Sequence, residues 1–152
     1  MTDPVSYPSA STRHRLPFLF AGQAQKEFFL NEALARIDAL LHPAILGEQA
    51  DPPAVRQDGD AWLVAATATG SWAGHEDTIA VWQGDGWLHV DPTPGLAVHD
   101  LATGEAILYD GGWTRSSGIP SPSGGTTIDS EGRAAIDAII AVLENKGILP
   151  AN

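Results

Sequence analysis

Apolar positions keep helical spacing near the two ends of the chain, and in the middle they form short runs broken by glycine turns. Residues 1–20, with Pro4, Pro8, Ser9, Ser11 and Thr12, show no hydrophobic period until a short apolar run over 16–20. They read as an extended docking arm that orders only against a partner. Leu30, Ala33, Leu34, Ile37 and Leu41 then recur at spacings of three and four, which predicts an amphipathic helix over about 24–42 ending at Pro43. Residues 21–54 are thus a helix and a Pro-containing linker, Asp51-Pro52-Pro53.

From residue 55 the period changes. Ala61-Trp62-Leu63-Val64-Ala65 is a strand signal. Thr78-Ile79-Ala80-Val81-Trp82 and Trp87-Leu88-His89-Val90 flank the turn Gln83-Gly84-Asp85-Gly86, as expected of a hairpin. A second pair of runs, 96–99 and 106–109, flanks Thr103-Gly104, and Asp110-Gly111-Gly112 turns the chain into Trp113. The expectation is a small Trp-rich antiparallel β-domain over 55–115. Residues 116–126 have the Ser/Pro/Gly content of a flexible linker. Over 127–149 Thr127 can cap a helix, with Asp129 and Glu131 in its first turn and Lys146 and Gly147 closing it. Its stripe is Ile136, Ile139, Ile140 and Leu143, an apolar face that has to pack somewhere. The fold class is α+β, and that stripe is the candidate oligomerisation surface.

Charge narrows the partners. The chain has 152 residues and a formal net charge of −11, so phosphate backbones repel it and nucleic acid is not expected as a partner. No apolar run has the roughly 18 residues that cross a bilayer, and Met1-Thr2-Asp3-Pro4 does not open a signal peptide. A product made in the cytoplasm and released only inside an assembled particle is the corresponding expectation. There is no cysteine, which removes disulfides, thiolate metal sites and thiol nucleophiles.

Five tryptophans fall between Trp62 and Trp113. Trp62, Trp72 and Trp82 read as core. Trp87 and Trp113 directly follow glycine turns, so they are expected at exposed rims, where an indole can stack on a sugar or anchor a receptor. With Tyr109 and Asp85 they make the candidate ligand-binding set. The five histidines lack metal-site spacing, so neither a metal nor a cofactor is expected. Turn aspartates such as Asp77, Asp85 and Asp110 normally bond their own backbone, and no nucleophile elbow, phosphate loop or zinc-helix motif occurs. The chain therefore reads as a binding protein and not an enzyme.

One stretch has wider resonance. Leu16-Pro17-Phe18-Leu19-Phe20-Ala21-Gly22-Gln23-Ala24-Gln25-Lys26-Glu27, continuing to Asn31-Glu32-Ala33-Leu34, resembles the opening of the DUF2793 family. Gly59-Asp60-Ala61-Trp62-Leu63-Val64, Thr69-Gly70-Ser71-Trp72-Ala73-Gly74-His75 and Ile79-Ala80-Val81-Trp82 resemble its middle, in order. The resemblance implies a virion component of a prophage or gene transfer agent, in a tail fibre or head spike, with no catalytic residues. Its implied partners are baseplate, capsid or fibre proteins, further copies of the chain (a trimer being favoured), and a cell-surface polysaccharide. A stand-alone carbohydrate-binding module and a wall-degrading enzyme are the alternatives.

Overall fold

The computed structural model describes residues 9–20, 22 and 26–150. Helix α1 spans Lys26–Leu41, and eight strands follow: β1 (Ala44–Ile45), β2 (Glu48–Gln49), β3 (Ala61–Val64), β4 (Ile79–Gln83), β5 (Gly86–Val90), β6 (Ala97–Asp100), β7 (Glu105–Tyr109) and β8 (Trp113–Arg115). Helix α2 spans Ser130–Asn145. The fold is α+β.

The strands make two sheets where one antiparallel sheet was expected. Their orders are β1-β6-β7-β8 and β2-β3-β4-β5. The difference lies in residues 44–49, expected to be linker. Ala44 and Ile45 pair parallel with His99 and Asp100, and Glu48 and Gln49 pair parallel with Leu63 and Val64. The chain hands over from one sheet to the other between them. Leu46 N–H donates to the Ala61 carbonyl at 2.7 Å, and Leu63 N–H to the Gly47 carbonyl at 3.0 Å. Gly47 has φ +142°, a conformation that side chains rarely adopt. Two-residue strands show no periodicity, which is why the sequence concealed them.

The hairpins fall where the turns predict. Gly84 and Asp85, at φ 57° and 63°, form the two-residue connection of β4 and β5, and positive φ at both matches a turn whose twist suits a hairpin. One core cluster draws on both sheets through Ile45, Leu63, Ile79, Val81, Val98 and Ile107. Strands β3 and β4 bury their other faces as well, with Trp62, Val64 and Ala80 packed around Trp72, which is 0% exposed. Arg115 on β8 ties the sheets at their margin, 2.8 Å from Asp100 of β6 and 3.3 Å from Glu48 of β2. Burial lowers its pKa, but the hydrogen bonds and charges of the two carboxylates outweigh that and raise it.

Residues 9–20 correct the docking-arm expectation, and residues 1–8 lie outside the described region. The described part of the arm lies on α1 of its own chain. Phe18 is buried, Ala10 bridges Pro17, and Asn31 both accepts from Leu19 N–H at 2.8 Å and donates to its carbonyl at 3.0 Å. Asp38, 3% exposed, accepts from the Ser11 hydroxyl and from the Arg13 and His14 amides at 2.7, 2.9 and 2.6 Å. Burial alone would push that carboxyl up. The Ser11 and backbone hydrogen bonds, with the charge of His14, outweigh it and leave the pKa below the usual value. Arg13 then reaches the Ala39 and His42 carbonyls, so the arm supplies the cation at the C-terminus of α1. What orders the arm is polar pairing, which a search for apolar periods does not detect.

Helix α2 begins two residues later than expected. Asp129, not Thr127, is the N-cap, accepting from Gly132 N–H at 2.8 Å. Gly147 (φ 67°) closes the helix, and its carbonyl accepts from Ala106 N–H at 2.7 Å, docking this end against β7. The linker 116–126 is irregular and largely exposed, with Arg133 of α2 donating to the carbonyls of Pro122 and Gly124.

Candidate functional site

Two features stand out as places where something else could sit: a cleft beside β5 and the outward sides of the helices. The cleft has a volume of about 430 Å³ and lies between α1 and the β4–β5 hairpin. Phe28, Glu32 and Arg36 come from the helix, Trp87 and His89 from β5, and His75 from the loop before β4. Helical spacing places Phe28, Glu32 and Arg36 on one side of α1 at successive turns. Arg36 joins the walls, donating to Glu32 at 2.9 Å and to the His89 carbonyl at 2.9 Å.

His75 and His89 stack at 3.8 Å between centroids and 8° between planes. The Thr78 hydroxyl donates to the His75 carbonyl at 2.7 Å and lies 3.2 Å from His89 Nδ1. Its proton being committed, the hydroxyl can only accept, which assigns the His89 proton to Nδ1 and leaves Nε2 with a lone pair. Burial, followed by the charge of His75, pulls His89 down to about 4. Asp91 opposes this and Arg36 adds to it. His89 is therefore neutral near pH 7 and is a hydrogen-bonding group more than a charge.

Gln83 also lines the cleft. It is 7% exposed, and its Nε2 has no hydrogen-bond partner among the described residues. An unsatisfied buried donor costs about 1–3 kcal/mol, and this one is closed to solvent.

The four residues expected to bind ligand do not converge. Trp87 reaches the cleft, but it is half-buried at the centre of a tryptophan cluster instead of standing at a free rim. Its ring lies 4.9 Å from Trp72, 5.0 Å from Trp82 and 5.8 Å from Trp62. Cross-strand register explains this, because Trp82 and Trp87 are opposed on β4 and β5 and share a face with Trp62. The Arg56 guanidinium lies 3.9 Å above the Trp82 ring. Asp85 is exposed at the hairpin turn. Trp113 and Tyr109 belong to the other sheet, 5.2 Å apart, and Trp113 is half-buried against the main core with its Nε1 donating to the Asp77 carbonyl at 2.8 Å. His75, His89, Gln83, Phe28 and Arg36 were missed as site residues, since no spacing in the chain brings a helix, a loop and a hairpin together. Among the described residues no group of three or more His, Asp or Glu is placed to hold a metal ion, and no helix is long and apolar enough to cross a membrane.

The helices expose apolar side chains in unequal fashion. On α2, Ile140 is buried and Leu143 half-buried against the chain itself, while Ile136 and Ile139 are exposed. The four-residue oligomerisation stripe is therefore split, because the docked end of α2 turns Ile140 inward. On α1, Leu30, Ala33, Ile37 and Leu41 of the expected apolar face point to solvent and Leu34 is half-buried, while the buried residues are Asn31, Ala35, Asp38 and Ala39.

The family model described as "Protein of unknown function (DUF2793)" matches residues 30–114, a span that holds β1 to β7, the start of β8 and most of α1. No curated protein matches the chain. The chain belongs to the DUF2793 family.

Proposed function

We propose that this member of the DUF2793 family is a non-enzymatic attachment subunit of a phage-like particle that holds a cell-surface saccharide in the His75–His89 cleft. The observation that carries the binding part is a cleft of about 430 Å³ that gathers Trp87 and Phe28 with the stacked imidazoles of His75 and His89. Aromatic faces that accept a sugar ring, beside fixed donors and acceptors for its hydroxyls, are what a polyol needs. The cleft offers Arg36, Glu32 and Asp91 together with two imidazoles, a mixed lining suited to a hydroxyl-rich ligand more than to a strongly charged one. Two features favour binding over proton transfer: Glu32 is engaged by Arg36 at 2.9 Å, and His89 titrates near 4, far from a general base poised at neutral pH. The particle setting rests on the resemblance of residues 16–34 to chains of prophages and gene transfer agents.

Calorimetric titration with fragments of surface polysaccharide tests the binding part. The expected result is a single site whose affinity falls about tenfold in Phe28→Ala, the loss of an aromatic face from the cleft wall, with the melting temperature little changed. No binding by the wild-type chain to any fragment, or equal affinity in Phe28→Ala, refutes it. Mass spectrometry of purified particles tests the setting, and absence of the chain from them refutes that part alone.

A further inference from the structure

Helix α1 is turned over relative to its sequence, and the consequence is a surface. Viewed down the axis at 100° per residue, Asn31, Ala35, Asp38 and Ala39 lie together and face the chain. Phe29, Leu30, Ala33, Ile37, Leu40 and Leu41 occupy the opposite third of the helix, all exposed. Phe29 is 73% exposed and the four larger aliphatics 38–50%. No charge interrupts this strip from Phe29 onward; Lys26 marks its N-terminal end, and Arg36 lies at its rim. In a chain of net charge −11, copies repel one another over most of their surface, so an uncharged face is where association costs least.

Two further features specify the occupant. Leu30, Ala33, Ile37 and Leu40 are spaced three, four and three, the seam one helix offers to another. The strip exposes on the order of 500 Å² of apolar surface. Two copies would bury about 1,000 Å² together, the lower bound for a specific interface.

We propose that α1 is the two-fold interface of a homodimer, packed antiparallel against α1 of a second copy. In a parallel pair Lys26 would face its own counterpart, a like-charge contact. The antiparallel arrangement carries Lys26 to the uncharged Leu40 and Leu41 of the other copy. Centring the pair between residues 33 and 34 opposes Leu30 to Ile37 of the other copy, and the small side chain of Ala33 beside the axis lets the helices approach closely. The cleft lies on a different side of α1, so this interface stands or falls independently of saccharide binding.

The absence of native cysteine makes the test direct. Light scattering on the full chain is expected to give a dimer mass that dissociates on dilution. Ile37→Asp should give a monomer whose melting temperature matches that of the wild-type chain diluted to its monomer, whereas Ile136→Asp on α2 should remain dimeric. An equimolar mixture of Leu30→Cys and Ile37→Cys chains should oxidise mainly to the mixed dimer, with at least fivefold less cross-linking in either variant alone. A monomeric wild-type chain, a trimer mass, a dimer unaffected by Ile37→Asp, a monomer produced by Ile136→Asp, or cross-linking of single variants as efficient as of the mixture would each overturn the proposal.

Discussion

Helices α1 and α2 are both sixteen residues long and both carry an apolar stripe at three- and four-residue spacing, yet the protein uses them in opposite ways. Helix α2 keeps to the ordinary rule in part, sending Ile140 inward while Gly147 docks on β7. Helix α1 reverses it. Its inner face is made of Asn31, Ala35, Asp38 and Ala39, and Leu30, Ile37, Leu40 and Leu41 face out while Leu34 is half-buried. The cause is the arm. Five hydrogen bonds from Asn31 and Asp38 to Ser11, Arg13, His14 and Leu19 hold the polar side of the helix inward. Rotating α1 to bury Leu30 and Ile37 would break all five. A stripe thus marks where apolar groups are, and the polar groups opposite decide which side the chain can keep in water.

The sharpest way to break this comparison is to remove the polar anchor. Asp38→Ala should cost about 3–4 kcal/mol, since it strips three hydrogen bonds from a charged acceptor and strands the buried Ser11 hydroxyl. At roughly 2–4 °C per kcal/mol for a chain of this size, thermal unfolding should drop by about 6–16 °C. Ile37→Asp on the outer face, compared with the wild-type chain at concentrations where both are monomers, should shift it by no more than a degree or two. Equal losses in the two variants would mean that α1 is held by its leucines after all.

A smaller effect is expected on α2. Ile140→Ala should cost about 2–3 kcal/mol in chemical denaturation, and Ile136→Ala less than about 0.5 kcal/mol, because only the first empties a packed position. If both cost the same, the split of the stripe is wrong.

Acid unfolding separates the anchors by window. The folded Asp38 pKa lies below its unfolded value of 3.8, so its contribution is complete above that value and is lost as pH falls through the folded pKa. His89 acts at higher pH. Its folded value of about 4 lies below 6.5, so the unfolded chain binds the extra proton between these values and stability declines as pH falls across that range. His89→Gln should flatten the decline between about pH 6.5 and 4, and Asp38→Asn the part below it. Melting curves taken across pH decide, and an unaltered profile in both variants would contradict the assignment.

The smallest expected change is at the N-terminus of α2. Asp129→Ala should lower stability by about 1 kcal/mol, and Thr127→Ala by much less, since only Asp129 accepts the Gly132 amide. Measured in the same denaturation series, the reverse order would restore Thr127 as the cap.

Much of the architecture was legible in advance for a local reason. Gly84-Asp85 specifies its hairpin because the turn geometry depends on two residues, and the stripes of α1 and α2 specify helices because the spacing is intrinsic to the backbone. The handover at residues 44–49 was not legible, because Ala44, Ile45, Glu48 and Gln49 gain their strand character only from His99, Asp100, Leu63 and Val64 far along the chain. The candidate cleft was legible only at Trp87. His75 joins it because Thr78 and the β4–β5 pairing bring it against His89, a contact no pairwise spacing announces.

By itself the amino-acid sequence determined the class of fold, the position of each long element, and the net negative charge. Those depend on composition and short-range geometry. Only the tertiary structure decided that the arm lies on its own helix, that α1 faces most of its leucines outward, and that His75 and His89 meet beside Thr78 in one cleft. Each of these follows from where buried polar groups find partners, and that is a property of distant residues brought together, which no local pattern contains.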